Sequence, residues 1–109
     1  GRVEDASREI WTMKKIVWTP VAVETYHSLV QYLALEWGDL SKTKFLNEVE
    51  WVVDLISQNP EMFKRSTRYK NIRIGYLSKQ CSLIYRIKPD EIELLLFWDN
   101  RQDAKKMKY

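Results

Sequence analysis

The sequence has little of what most catalytic and cofactor sites are built from: one cysteine, one histidine and three glycines in 109 residues. A lone Cys81 cannot close an internal disulfide, and Cys81 with His27 is too small a donor set for an ordinary Cys/His zinc site, so no metal is expected. Three scattered glycines exclude a glycine-rich phosphate loop. With no nucleophile elbow, no His-X-Glu and no paired-cysteine spacing, the chain offers no cofactor motif, no small-molecule substrate site and no ready-made catalytic centre. No apolar run approaches the roughly 20 residues that span a bilayer, and the N-terminus shows no apolar stretch of the kind a secretory signal carries. A cytoplasmic protein without a membrane partner is the expectation.

What is present suits one compact domain. The chain is 45% hydrophobic, with five Trp and six Tyr, and 30% charged. That is too apolar for a disordered segment and polar enough for a soluble surface. At this length folding buries roughly two-thirds of the surface of the unfolded chain, enough for one core. Residues 1–12 lack a clear period and read as a cloning remnant or N-terminal extension, whereas Met13-Lys14-Lys15 reads as a natural start of a domain spanning 13–109. Charge is divided unevenly. Residues 1–61 hold six bases and ten acids, net −4, and residues 62–109 hold twelve and five, net +7. Between Phe63 and Pro89 stand eight bases and no acid. Such a face attracts phosphate backbones or acidic protein surfaces.

The periodicities predict β-α-α-β-β-β. Lys15 to Trp18 is a short strand that stops at Thr19-Pro20, a helix cap and first helical residue. Ala22, Tyr26, Leu29, Val30, Leu33 and Trp37 then form one apolar stripe, which Gly38 ends. A second helix from Ser41 carries Phe45, Val49, Val52, Val53 and Ile56 and stops at Asn59-Pro60, so the two make an antiparallel hairpin. From there the period changes to two, with strands around Ile72–Tyr76 and Leu83–Ile87 joined by a Ser78-Lys79-Gln80 turn. Ile92 to Trp98 is apolar at nearly every position, as a strand covered on both faces must be. Arg101 to Lys108 closes the chain as a short polar helix or tail. The fold class is α+β, an antiparallel sheet packed on a helical hairpin.

Two features point to binding. Trp51 projects about 120° from the centre of its helix stripe, so it should be partly exposed, as interface tryptophans are. Arg101, just past the most apolar strand, is well placed to meet a phosphate or carboxylate. His27 lies on the polar side of the first helix and reads as a surface residue.

The run Ile16-Val17-Trp18-Thr19-Pro20, the ending Glu36-Trp37-Gly38, then Asn59-Pro60, Ile72-Arg73, Leu83-Ile84-Tyr85-Arg86 and Phe97-Trp98-Asp99-Asn100-Arg101-Gln102-Asp103 together resemble the RelE/ParE superfamily of bacterial type II toxins over residues 14–107. The resemblance implies the fold just read, a growth-inhibiting toxin, and a cognate antitoxin that wraps and neutralises it. RelE-type members cut messenger RNA on the ribosome; ParE-type members poison DNA gyrase. In the nuclease pattern Arg73 matches the basic position of the strand after the hairpin and Arg101 the C-terminal arginine. Gly75 stands where a second basic residue would, Ser82 where the next strand's arginine would, and the terminal tyrosine would fall near Met107, two residues before Tyr109. These departures favour a non-hydrolytic, ParE-like inhibitor. The alternative is a RelE-like endoribonuclease using Arg73, Arg86 and Arg101, with Tyr109, Lys79 and Arg86 filling similar space from other positions. On a family-like sheet Arg73 and Arg86 would face away from the hairpin and form one binding patch with Arg101, with Lys79 at its rim. If Arg86 is instead structural, it should pair with an acid such as Glu93.

Overall fold

The computed structural model describes residues 14–109; the N-terminal segment 1–12 lies outside them. Strand β1 (Lys15–Trp18) leads into helix α1 (Pro20–Trp37), and α2 (Asp39–Gln58) follows after a single residue. Strands β2 (Lys64–Arg65), β3 (Ile72–Tyr76), β4 (Cys81–Ile87) and β5 (Glu91–Asp99) complete one sheet in the order β1-β5-β4-β3-β2. The element order matches the expected β-α-α-β-β-β fold, with the two-residue β2 added at one edge. Pairing is antiparallel except between β1 and β5, which run parallel because the whole hairpin intervenes between β1 and the rest of the sheet.

Gly38 explains why α2 starts at Asp39 rather than Ser41. With φ at 86°, a region side chains rarely adopt, it both ends α1, its N–H donating to Ala34 O at 3.1 Å, and starts α2, its carbonyl accepting from Lys42 N. The start of α1 is fixed by Thr19, whose Oγ1 accepts from Ala22 N at 3.2 Å and donates to Leu94 O at 2.7 Å. One hydroxyl thereby caps the helix and ties it to β5. Two turns on, Thr25 Oγ1 accepts the Phe97 N–H at 2.9 Å, which serves a β5 backbone donor beyond the end of β1.

The hairpin packs on one face of the sheet. Leu29, Leu33, Phe45, Val49, Val52 and Ile56 meet Leu83, Tyr85, Ile92, Leu94 and Phe97 there. Cys81 is fully buried in the same core, and burial pushes its thiol up to about 12, in keeping with a small strand hydrophobe. The other face carries a second, smaller core of Ile72, Ile84 and Leu96, covered by Met107 from the C-terminal tail. A bulge at Leu95, where Ile84 pairs with Leu96 and Tyr85 with Leu94, lets β5 supply apolar residues to both faces.

Gly75 answers to packing. It is buried opposite Leu83, and a Cβ built on it would stand 2.8 Å from Cδ2 of Phe63, whose ring lies across the strand in place of a side chain. Gly75→Ala should therefore destabilise the fold through overpacking, which costs about 1–3 kcal/mol, offset by the roughly 0.5–1 kcal/mol an alanine gains over glycine in a strand. Chemical denaturation measures this, and the double variant Phe63→Leu/Gly75→Ala should recover part of the loss. Independent, additive effects would show that the ring does not depend on the missing side chain.

Candidate functional site

The three arginines and the tyrosine singled out in the sequence are not gathered in one place. Arg73 stands opposite Tyr85, which faces the hairpin, so Arg73 projects to that side and not away from it. The expectation that it faces the open side is corrected here, and the reason is register: Ile72 and Ile74, its neighbours on β3, fill the open-face core. Arg73 Nη1 donates to the carbonyls of Phe63 at 2.9 Å and Glu61 at 3.2 Å, holding the turn that leads into β2. Tyr85, beside it, donates its hydroxyl to Pro60 O at 2.6 Å in the same turn, and burial pushes this phenol up to about 12.

Arg86 is on the open face, directly across from Ile72, and Nη1 pairs with Glu93 Oε1 at 3.0 Å. Lys88 Nζ reaches the other oxygen of Glu93 at 3.5 Å. Arg101 lies at the far end of the sheet. Glu93, opposite Arg86, and Asp99, opposite Cys81, are six residues apart on β5, which is about 20 Å of strand. Its guanidinium grips Asp99 through Nε and Nη2, the latter at 2.6 Å, donates through Nη1 to the Tyr32 hydroxyl, and stacks on that ring with Cζ 4.0 Å from the centroid. The Arg101 hydrogen bond is the main reason the Asp99 carboxyl is held below its ordinary value, and the same pair holds the Arg101 guanidinium above its own. Sequence reasoning found Arg101 but not Asp99 or Tyr32. The Asp-X-Arg spacing was a legible sign of the first; the second comes from a helix 69 residues away.

Lys79 does lie near Arg101. Asn100 donates from its side chain to the carbonyls of Ser78 and Lys79, and its backbone N–H donates to Gln80 O at 2.8 Å, so the β3–β4 turn is latched to the end of β5. Ser82, where the nuclease pattern has an arginine, is buried and donates to Asn100 Oδ1 at 2.8 Å as part of that latch. Tyr109 is again elsewhere. Its hydroxyl is bonded to Ser66 Oγ at 2.7 Å, the Arg68 guanidinium stacks over its ring, and Arg68 Nη1 donates to Met107 O at 2.9 Å. These contacts strap the C-terminus across the open face. Trp51 is 65% exposed on the outer side of α2, as its helical angle predicts.

Arg73, Arg86 and Arg101 thus each have a partner within the protein, and they lie respectively on the hairpin face, on the open face and at the far end of the sheet. Among the described residues no cluster of three or more His, Cys, Asp or Glu could hold a metal ion, and no helix is long and apolar enough to cross a membrane.

Comparison with known proteins gives a consistent likeness. The family model of the ParE toxin of the type II toxin-antitoxin system parDE matches residues 16–104. Among solved structures, that of the chromosomal ParDE TA system from P. aeruginosa has a TM-score of 0.68 at 19% identity, covering 81% of this chain and 97% of that one. The YoeB dimer from Staphylococcus aureus has a TM-score of 0.55 at 14% identity, covering 77% and 93%. The E. coli DinJ-YafQ toxin-antitoxin complex has 0.55 at 11%, covering 82% and 94%. These structural likenesses are of fold. No curated protein matches the sequence significantly.

The Asp99–Arg101 pair generates a pH prediction. A carboxyl whose folded value is depressed adds stability that is fully present above its unfolded value, about 3.9, and lost as pH falls through the folded value. The stability difference between the protein and Asp99→Asn should therefore be constant from neutral pH down to about 5 and shrink below about 4. Urea titrations across pH 2.5–7 test this. A difference that stays constant throughout would mean that the carboxylate's charge is not what holds Arg101.

Proposed function

Because the chain belongs to the family of ParE toxins of type II toxin-antitoxin systems, we propose that it inhibits DNA gyrase by binding, without hydrolysis, and that a cognate antitoxin neutralises it. The observation that carries the non-hydrolytic reading is the dispersal of Arg73, Arg86, Arg101 and Tyr109, each engaged by a neighbour, on two faces and both ends of the sheet. Cleavage by a 2′-hydroxyl needs a base, an acid and cations converging on one phosphate. Binding needs only a surface, and residues 62–109, net +7, supply one. Lys64, Arg65 and Lys70 are exposed at the β2 edge, and Lys79 and Arg101 at the latched end of the sheet. None of the first four forms an ion pair among the described residues. We assign target recognition to this basic half, with Arg101 as the cation oriented by Asp99 and Tyr32.

A RelE-like ribosome-dependent endoribonuclease is the second reading. It is favoured by one arrangement, Arg86 and Tyr109 sharing the open face with Arg68 stacked on the tyrosine ring.

Purified protein should block supercoiling by gyrase and leave messenger RNA intact in a translation extract. Cleaved message with unimpaired gyrase would transfer the assignment to the second reading, and neither effect would remove both. Within the first reading, Arg101→Ala should reduce gyrase inhibition at least tenfold while the fold survives. Arg86→Gln should leave inhibition within about twofold and lower stability by no more than about 1 kcal/mol, because an ion pair still reached by solvent contributes little.

A further inference from the structure

The helical hairpin carries apolar surface that the core leaves uncovered. At 100° per residue Leu40, Asn47 and Trp51 lie within about 40° of one another on the outer side of α2, well away from the buried stripe of Phe45 and Ile56. Leu40 is 88% exposed and Trp51 65%, and the two border a shallow cavity of about 510 Å³ together with Lys44 and Glu48. Lys44 and Glu48 also line the adjoining cavity, which Trp37 borders while 62% exposed. Single exposed apolar residues are ordinary, but two tryptophans and a leucine spread over two adjoining concavities are not.

The surroundings of this patch are acidic. Residues 20–61 hold seven acids and two bases, the reverse of the sheet half, and none of those seven carboxylates is in an ion pair among the described residues. We infer that this face docks a basic amphipathic helix from a protein partner, with apolar anchors over Leu40 and Trp51 and lysines or arginines towards Glu48 and Asp54. Leu40 and Trp51 are eleven residues apart, about 16 Å along the axis, which matches three turns of an apolar stripe on a facing helix. The charge argues against the other occupants. Nucleic acid and anionic lipid headgroups are repelled by an acidic surface. A symmetric pairing of two copies through α2 would bring together two surfaces that are each net acidic, four carboxylates against two lysines on each helix. The inference concerns the acidic half and is independent of what the basic half recognises.

The test uses the whole protein and two synthetic helical peptides with leucines at the same i, i+4, i+7, i+11 positions, one rimmed with lysine and arginine, the other with glutamate. Calorimetry should show the basic peptide binding at least tenfold more tightly, with affinity falling as salt rises. Trp51→Ala and Leu40→Ser should each weaken it about tenfold with the thermal midpoint unchanged, since both side chains are exposed. Glu48→Lys/Asp54→Lys should flatten the salt dependence. Equal affinity for the two peptides, or a basic-peptide affinity untouched by Trp51→Ala, overturns the proposal. So does sedimentation that shows self-association abolished by Trp51→Ala, which would give the face to a second copy of the chain.

Discussion

Strand β5 has to satisfy its backbone along two edges and bury apolar side chains on two faces, and most of the structure follows from that requirement. One edge is filled by β4 along its length, the other by β1 over only four residues. Where β1 ends, threonines of α1 take over: Thr19 bonds the carbonyls of Leu94 and Leu95, and Thr25 receives the Phe97 amide. An unpaired buried backbone group costs about 1–3 kcal/mol, so these hydroxyls fix where α1 begins and how far along the sheet it sits. The hairpin then has one seat available, and its stripe closes the first core. On the other face, the same strand's Leu96 draws Met107 down and with it the C-terminal tail.

This arrangement decides where charge can go. The hairpin's outer surface is free to be acidic because no described residue packs on it, while the bases of the second half are distributed along strand edges and turns. The arginines nearest the sheet are used as cross-links: Arg73 between β3 and the turn after α2, Arg86 between β4 and β5, and Arg101 between the end of β5 and α1. Arg suits that work because its planar fork makes several hydrogen bonds from one side chain. A cross-linking arginine keeps its charge but loses its freedom to follow a reacting phosphate. Lys64, Lys70 and Lys79, exposed and in no ion pair among the described residues, remain available for a partner.

Much of the fold was legible because its signals are local. The 3.6-residue stripes, the Thr19-Pro20 start and the switch to period two are each set by contacts a few residues apart, and the apolar run in β5 correctly announced cover on both faces. What was not legible depended on distant partners. Trp37 continued the apolar stripe of α1 yet stands exposed, because Gly38 turns the chain immediately after it and the core ends one turn earlier at Leu33. β2 is two charged residues, a segment that becomes a strand only because β3 offers an edge. The tail read as polar, since one methionine among lysines carries no period, but the groove between Ile72, Ile84 and Leu96 captures it. The side on which Arg73 would lie was misjudged because it depends on which β3 neighbours are core, and both faces of this sheet have one.

Two of the positions at which the sequence departs from a nuclease-like pattern, Gly75 and Ser82, have little room in the structure for a larger side chain. Gly75 lies under the ring of Phe63, whose closest approach to a built Cβ is 2.8 Å, and Phe63 in turn offers its carbonyl to Arg73. A lysine or arginine there would have to evict the ring and, with it, the anchor of the arginine on the same strand. Ser82 is buried with its hydroxyl bonded to Asn100, whose amide holds the β3–β4 turn against β5. An arginine at 82 would remove that acceptor's partner and loosen the turn that carries Lys79. Each departure is therefore coupled to a neighbour that stabilises the fold. A charged side chain at either position would therefore disturb the contacts that hold the edges and turns of the sheet together, so its cost would fall on the fold before it reached any ligand.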